Sequence, residues 1–217
     1  MKMASATTRI SIVSQPGNRT SPVVLASGPG AFLHLLGPAI LRAREGPYAL
    51  RLLTKRAPQA AAAVRKARAH LAVGVFHTGA GGLQLHRWRQ VGQMVVVPED
   101  HRLAQRRVLD PKDLDGEALV IAPDGKPHRV STARVLAQDW RVGVEATGWQ
   151  LMMRFVTYGM GITVINDCVS VPSGLVGIPV RGFPTVDYSV ARRPDMRHEG
   201  AKWLFELLCG GLEFDGT

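Results

Sequence analysis

The feature that most constrains this chain is a repeating alternation. Short unbroken apolar runs are followed by segments whose apolar residues fall at helical spacing. Residues 23–26, 71–76, 93–98, 119–122 and 162–165 read as strands buried on both faces, because a strand with one wet face would alternate with period two. After the first run, Ser27-Gly28-Pro29-Gly30 turns the chain into a helix over residues 32–43, with Phe32, Leu35, Leu36, Ala39, Ile40 and Ala43 on one side. Pro38 should kink that helix or end its first half. An alanine-rich helix is predicted over 58–68, after a strand at 49–53. The pattern restarts beyond Pro98, with a helix over 131–139 capped by Ser131 or Thr132. Another helix follows Thr147 or Gly148 and ends at Gly159, and further strands are predicted over 175–180 and 188–191. An amphipathic helix over 198–208 closes the chain. Strands alternating with helices imply mainly parallel sheets with right-handed crossovers. The chain therefore reads as two similar βαβ assemblies in series, with the last strand and helix packing back on the first. Residues 1–21, rich in Ser, Thr, Pro and Gly, read as a tail or linker remnant.

Charge first suggests nucleic acid. The chain holds 27 Lys and Arg against 17 Asp and Glu, a formal +10. Residues 1–70 carry eleven Lys/Arg and one acid, Glu45, so the first third holds the whole excess. No groove-reading element accompanies it, and a solvated basic face is the plainest reading, with a phosphate-facing or subunit-facing surface behind it. Two cysteines, Cys168 and Cys209, lie far apart without metal spacing, which points to a reducing, cytoplasmic setting. The apolar run after Met1 is too short for an export signal. The uncharged stretch 23–41 is broken by Gly28, Pro29, Gly30, Gly37 and Pro38, so no membrane span is expected.

No phosphate-binding loop, zinc-protease, nucleophile-elbow or calcium-loop pattern occurs. The seven histidines form no i,i+4 pair and no cluster with cysteine, so neither metal nor cofactor is expected. The chemistry instead gathers at predicted strand ends. Ser27-Gly28-Pro29-Gly30 joins a strand to a helix N-terminus, where free N–H groups favour a carboxylate or phosphate, although an ordinary tight turn reads the same way. Thr54-Lys55-Arg56, Phe76-His77, Pro123-Asp124-Gly125-Lys126, Thr147 and Ile165-Asn166-Asp167 also fall just past strands. In a two-lobed parallel-sheet protein such ends converge on one cleft. Cys168 reads as a semi-buried apolar residue rather than a nucleophile.

The order of these segments resembles the effector-binding domain of LysR-type transcriptional regulators over residues 22–208. Gly46-Pro47 with Leu50, Leu52 and Leu53 matches its second strand. His70 to Val75 resembles the family's D-L-A-I-G stretch, and His101-Arg102-Leu103-Ala104 after Val95-Val96-Val97-Pro98 resembles its H-P-L-A crossover. Asp113-Leu114-Asp115-Gly116-Glu117 looks like the entry to the second lobe, and Gly159-Met160-Gly161-Ile162 like its glycine element. Three positions depart: His70 replaces an aspartate, and Arg102 and Asn166 replace prolines. Nothing in residues 1–21 matches the family's winged helix-turn-helix, so DNA reading is expected only through such a domain outside this stretch.

The resemblance implies an α/β fold of the type 2 periplasmic-binding-protein kind, two Rossmann-like lobes with mixed, mainly parallel sheets joined by two crossover strands near 95–98 and 188–191. Lobe I would comprise 22–98 plus 190–217, and lobe II 99–189. It implies a small effector, often a carboxylate, bound between the lobes of a homodimer or homotetramer. Ser27, Gly28, Gly30, Thr54, Arg56 and Phe76 would meet it from lobe I. Pro123, Asp124, Thr147 and Asn166 would meet it from lobe II. The alternative is an enzyme on the same fold acting on a small anion, for which Asp124, Asp167, Cys168 and His77 are the candidates. A secreted solute-binding protein is the third reading, disfavoured by the missing export signal.

Overall fold

The computed structural model describes residues 21–76, 80–136 and 140–210, and residues 9–11 by their backbone. The chain divides into two compact units, Met1–Arg89 with Asp187–Thr217, and Gln90–Val186.

The first unit is built on a six-stranded sheet. Its strands are β1 (Arg9–Ser11), β2 (Val23–Ser27), β3 (Leu50–Thr54), β4 (Leu71–Gly74), β5 (Gln84–Val91) and β11 (Val186–Arg192), in the order β1-β3-β2-β4-β11-β5. β2 runs parallel to both β3 and β4, whereas β1 and β11 are antiparallel to their neighbours β3 and β4. Helices α1 (Pro29–His34), α2 (Gly37–Arg44), α3 (Ala57–Arg65) and α6 (Glu199–Cys209) cover it. Alternation along β2 sorts them: α3 packs with Val24, Ala26, Leu53 and Ala72, while α6 lies against Val23, and α2 lies against α6. Ala60, Ala61 and Ala63 are buried, and their short side chains let α3 sit close to the sheet. Burying each larger side chain of this core, such as Leu25 or Val64, contributes roughly 1.5–3 kcal/mol. The expected 32–43 helix is split: α1 stops at His34 and Pro38 stands in the first turn of α2, where its missing N–H costs nothing.

The second unit holds β6 (Gln93–Pro98) between β9 (Thr163–Asn166) and β10 (Leu175–Pro179), antiparallel to both, and a parallel pair β7 (Ala118–Ile121) and β8 (Arg141–Glu145). An isolated parallel bridge between Leu119 and Ile162 links β7 to the entry of β9. Helices α4 (Pro127–Val135) and α5 (Trp149–Thr157) complete it. Both faces of its strands are buried: Val95, Val97, Leu119 and Ile121 join one core, and Met94, Val96, Val120 and Ile165 the other with Met152, Met153 and Val156 of α5. Gly159 ends α5 at φ +71°, and Gly161 at φ +135° passes so near Ala118 that a Cβ would strike its carbonyl oxygen. That close approach lets β9 run beside β7.

Several boundaries differ from expectation. The chain leaves the first unit within β5, so residues 90–98 belong to the second unit rather than to lobe I, because β6 bonds to β9 and β10. The return falls at Val186, a few residues before the expected boundary at 190. The stretch over 84–91 was not expected to be a strand; it is an edge strand, largely exposed, so its side chains carry no buried run. Residues 9–11, expected to be tail, form β1 against β3. Helix α4 begins at Pro127, not Ser131, with Lys126 in extended geometry at its N-cap and Thr132 buried inside it. Residues 137–139 of the expected helix and 77–79 of the loop lie outside the described residues.

All three departures from the family pattern have partners. Arg102 donates to Glu117 Oε1 (3.0 Å from Nε) and to the Asp113 carbonyl, tying the crossover to the 3-10 turn Pro111–Leu114. Asn166 Oδ1 accepts from Gln93 Nε2 at 3.0 Å, across the β6–β9 pair. His70 Nδ1 accepts the Val24 N–H at 2.9 Å, and its ring lies 4.2 Å from that of His198, whose own Nδ1 accepts the Ala201 N–H and caps α6. Burial, then the neighbouring His198 and Arg193, push the His70 pKa down to about 4. The unfolded chain therefore takes up this proton first as pH falls. Stability is full above about pH 6.5 and declines as pH drops toward 4. Thermal unfolding across that window will show a midpoint that rises with pH, with a shallower rise in His70→Asn. Identical slopes in both proteins would remove His70 from the account.

Candidate functional site

In the first unit the parallel register aligns strand ends. Ser27 pairs with Thr54 across β2 and β3 and with Val73 across β2 and β4, so the three C-terminal ends lie side by side. Ser27 is fully buried, and its Oγ donates to the Val73 carbonyl at 2.8 Å. Its hydroxyl proton is thus engaged within the sheet, leaving the oxygen as an acceptor. Gly28 is the extended N-cap of α1 (ψ 156°), and a Cβ there would meet nothing within 4 Å. Gly30 lies in the first turn. With only six residues, α1 adds little dipole, so the N–H groups of this turn, rather than a helix end, are what it presents. Thr54 is exposed at the end of β3, and Arg56, also exposed, is the N-cap residue of α3. The Lys55 N–H donates to the Ser27 carbonyl at 2.8 Å and holds the two loops together. Phe76 packs partly buried beside Gly74 and the α3 core. The structure therefore gathers all six expected first-unit residues at one sheet edge.

In the second unit, Pro123 and Asp124 follow β7, Thr147 follows β8, and Asn166 ends β9. These strands run parallel, so the four residues share one edge. Asn166 is buried and held by Gln93. Asp124 is exposed and pairs with Arg129 Nε at 3.2 Å. Arg129 was not anticipated. Its side chain is only 12% exposed, lies 5.0 Å over the Trp140 ring and reaches Glu145 at 3.6 Å, and its Nη1 is buried without a hydrogen bond. His128, also unanticipated, has both ring nitrogens buried, and neither meets full hydrogen-bond geometry among the described residues, although the Val164 backbone lies close by. Burial pushes its pKa down, with the Val164 backbone opposing. Buried polar atoms without partners are rare and costly, and they gather where a ligand or water completes them. The signal was present in the sequence: His128 and Arg129 directly follow the Pro123–Lys126 turn, at the first turn of a helix beginning with Pro127.

The candidates for catalysis are otherwise engaged. Asp167 Oδ2 accepts the Gly92 N–H at 2.9 Å, and Cys168 packs against the α5 core. Burial raises the Cys209 pKa to about 11 against the opposing pull of Arg192, which keeps it a thiol at neutral pH. His77 lies outside the described residues. One histidine–carboxylate pair does occur, His101 with Glu117 at 3.5 Å, but Glu117 precedes β7, at the end opposite the clustered residues, and also holds Arg102. Among the described residues no group of three or more His, Cys, Asp or Glu could hold a metal ion. No described helix is long and apolar enough to cross a membrane.

Comparison with known families settles the lineage. Residues 17–211 match the LysR substrate binding domain. The chain belongs to that family. A search of curated proteins finds no match. Solved structures share the fold at low identity. HinK, a LysR family transcriptional regulator from Pseudomonas aeruginosa, superposes with a TM-score of 0.76 at 14% identity, over 87% of this chain and 69% of its own. The C-terminal domain of a probable LysR family regulator from Rhodococcus sp. RHA1 gives 0.74 at 16%, over 87% and 98%. The Synechocystis PCC6803 CcmR regulatory domain, in complex with 2-PG, gives 0.72 at 17%, over 87% and 96%. The two-lobed α/β fold expected from the sequence is the fold of this LysR domain.

Replacing His128 separates support from strain. His128→Leu removes both poorly satisfied nitrogens at nearly the same volume, so its unfolding free energy should stay within about 1 kcal/mol of the parent or rise. A loss above about 2 kcal/mol in denaturant unfolding would mean that the ring nitrogens are satisfied after all.

Proposed function

We propose that this LysR substrate-binding domain is the effector-sensing part of a transcriptional regulator and senses a small anion, most simply a carboxylate, through the strand-end residues Ser27, Gly28, Gly30, Thr54, Arg56 and Phe76 of the first unit and Pro123, Asp124, Thr147 and Asn166 of the second. His128 and Arg129 join the second group. The observation that carries this reading is the parallel register, which aligns the ends of β2, β3 and β4 and sets the Thr54 hydroxyl and the exposed Arg56 cation at one edge. N–H groups of the Ser27–Gly30 turn, a hydroxyl and a guanidinium form a suitable donor set for a carboxylate, and Phe76 offers an apolar wall. The ligand acts by differential affinity for two arrangements of the regulator, and only by that difference. The domain works as a cytoplasmic homodimer or homotetramer, without a catalytic step or cofactor, and meets DNA through a helix-turn-helix domain. The CcmR regulatory domain in complex with 2-PG supports a small-molecule ligand in this fold.

The test is thermal unfolding with acetate, succinate, benzoate and 2-PG. A fitting ligand at 100 times its Kd stabilises by about 2.7 kcal/mol. Arg56→Gln should weaken that ligand about tenfold, or 1.4 kcal/mol, without lowering the unliganded midpoint. Stabilisation by none of the four, or stabilisation that Arg56→Gln and Thr54→Val leave untouched, would overturn the assignment.

A further inference from the structure

The charge excess of the sequence is not absorbed by the strand-end site. Up to residue 98 the chain has thirteen Lys and Arg and one acid, Glu45. Glu45 follows α2, which packs with α1 and α6 on the sheet face opposite α3. On the α3 face, over β3, lies a depression of about 580 Å³. Its lining includes Arg51 and Lys55 from β3 and the loop after it, and Lys66 and Arg68 from the end of α3. Val24, Leu53, Ala62 and Ala63 supply apolar surface between them. No acid lines it. Arg51, Lys66 and Arg68 make no ion pair among the described residues. Asp195, which Arg193 brings toward α3 through its bond to the Val64 carbonyl, is paired with Arg193 itself.

This arrangement follows from the alanines of α3. In register, Val24 pairs with Arg51 and Ala26 with Leu53, so Arg51 and Leu53 share the face that α3 covers. Ala62 and Ala63 form a shallow apolar floor beside Val24 and Leu53, and the long cationic side chains stand around it.

We propose that this depression binds a small organic polyphosphate, as a second ligand site that shares only the Thr54–Arg56 loop, through Lys55, with the strand-end site. Arg51, Lys66 and Arg68, three cations in one hollow without an ion pair among the described residues, call for an anion of several charges; a single carboxylate would leave most of them unneutralised. Guanidinium groups match phosphate oxygens in pairs, and the apolar floor accepts a flat or aliphatic body attached to the phosphates. The volume falls within the range of small-molecule pockets, about 300–1,000 Å³. A concave floor suits such a molecule better than the backbone of a duplex.

The test is calorimetric titration of the 217-residue chain with pyrophosphate, ADP and adenosine at about 0.15 M salt. Pyrophosphate and ADP should bind and adenosine should not. R51Q/R68Q should weaken ADP at least tenfold, while R42Q/R44Q, which removes equal charge from α2, should change it less than twofold. The thermal midpoint of each variant reports that it is folded. Binding of neither phosphate, or equal loss in both variants, overturns the proposal. So does a 20-bp duplex that binds more tightly than ADP and is lost in R51Q/R68Q, since that outcome assigns the surface to DNA. Neither variant touches Thr54 or Arg56, so failure here and failure of the carboxylate site are read separately.

Discussion

The first unit depends on β2 being buried on both faces with a parallel strand on each side. Val23, Leu25, Ala26 and Ser27 have essentially no exposed surface, and β3 and β4 take the two hydrogen-bonding edges. A strand in that position can have neither a polar face nor a proline. Its loop must therefore leave at the C-terminal end, beside the loops of its two neighbours. The bond from Ser27 to the Val73 carbonyl and that from Lys55 to the Ser27 carbonyl fix the height at which those loops begin. Site geometry here is a consequence of strand register. The second unit repeats the logic with β7, β8 and β9, where Gly161 permits the approach that a side chain would forbid.

Much of this was legible in the sequence because doubly buried strands leave unbroken apolar runs. β2, β6 and β9 were found for that reason, and the residues just past β2, β3, β7 and β8 inherit their place from them. What escaped has a physical cause in each case. β5 is an exposed edge strand whose sequence, Gln84 to Val91, alternates charge with aromatics and buries only its last residue. β1 is three residues long and is held by pairing, not by its own pattern. Ser131 and Thr132 resemble caps and point to a later start for α4, yet Pro127 sets its first turn and Thr132 is buried inside the helix, so His128 and Arg129 fall on α4 rather than before it.

The departures from the family pattern show how one scaffold changes detail without changing register. Arg102 replaces the rigidity of a proline by fastening to Glu117 and Asp113. Asn166 fastens to Gln93 where a proline has no side chain to do so. His70 caps the Val24 N–H as a neutral acceptor and brings with it a sensitivity between about pH 6.5 and 4, where an aspartate would lose its contribution only at lower pH. The charge excess has a similar standing: it belongs to one unit, and part of it gathers around the depression over β3.

The central claim is that the aligned strand ends are where this domain meets its ligand. Backbone amide shift mapping by NMR tests it most directly, with acetate, succinate, benzoate and 2-PG each added to the labelled chain. The account predicts that the amides which move fall in Ser27–Gly30, Thr54–Arg56, Phe76, Asp124–Arg129, Thr147 and Asn166. Movement confined to other parts of the chain, or none with any of the four, would contradict it.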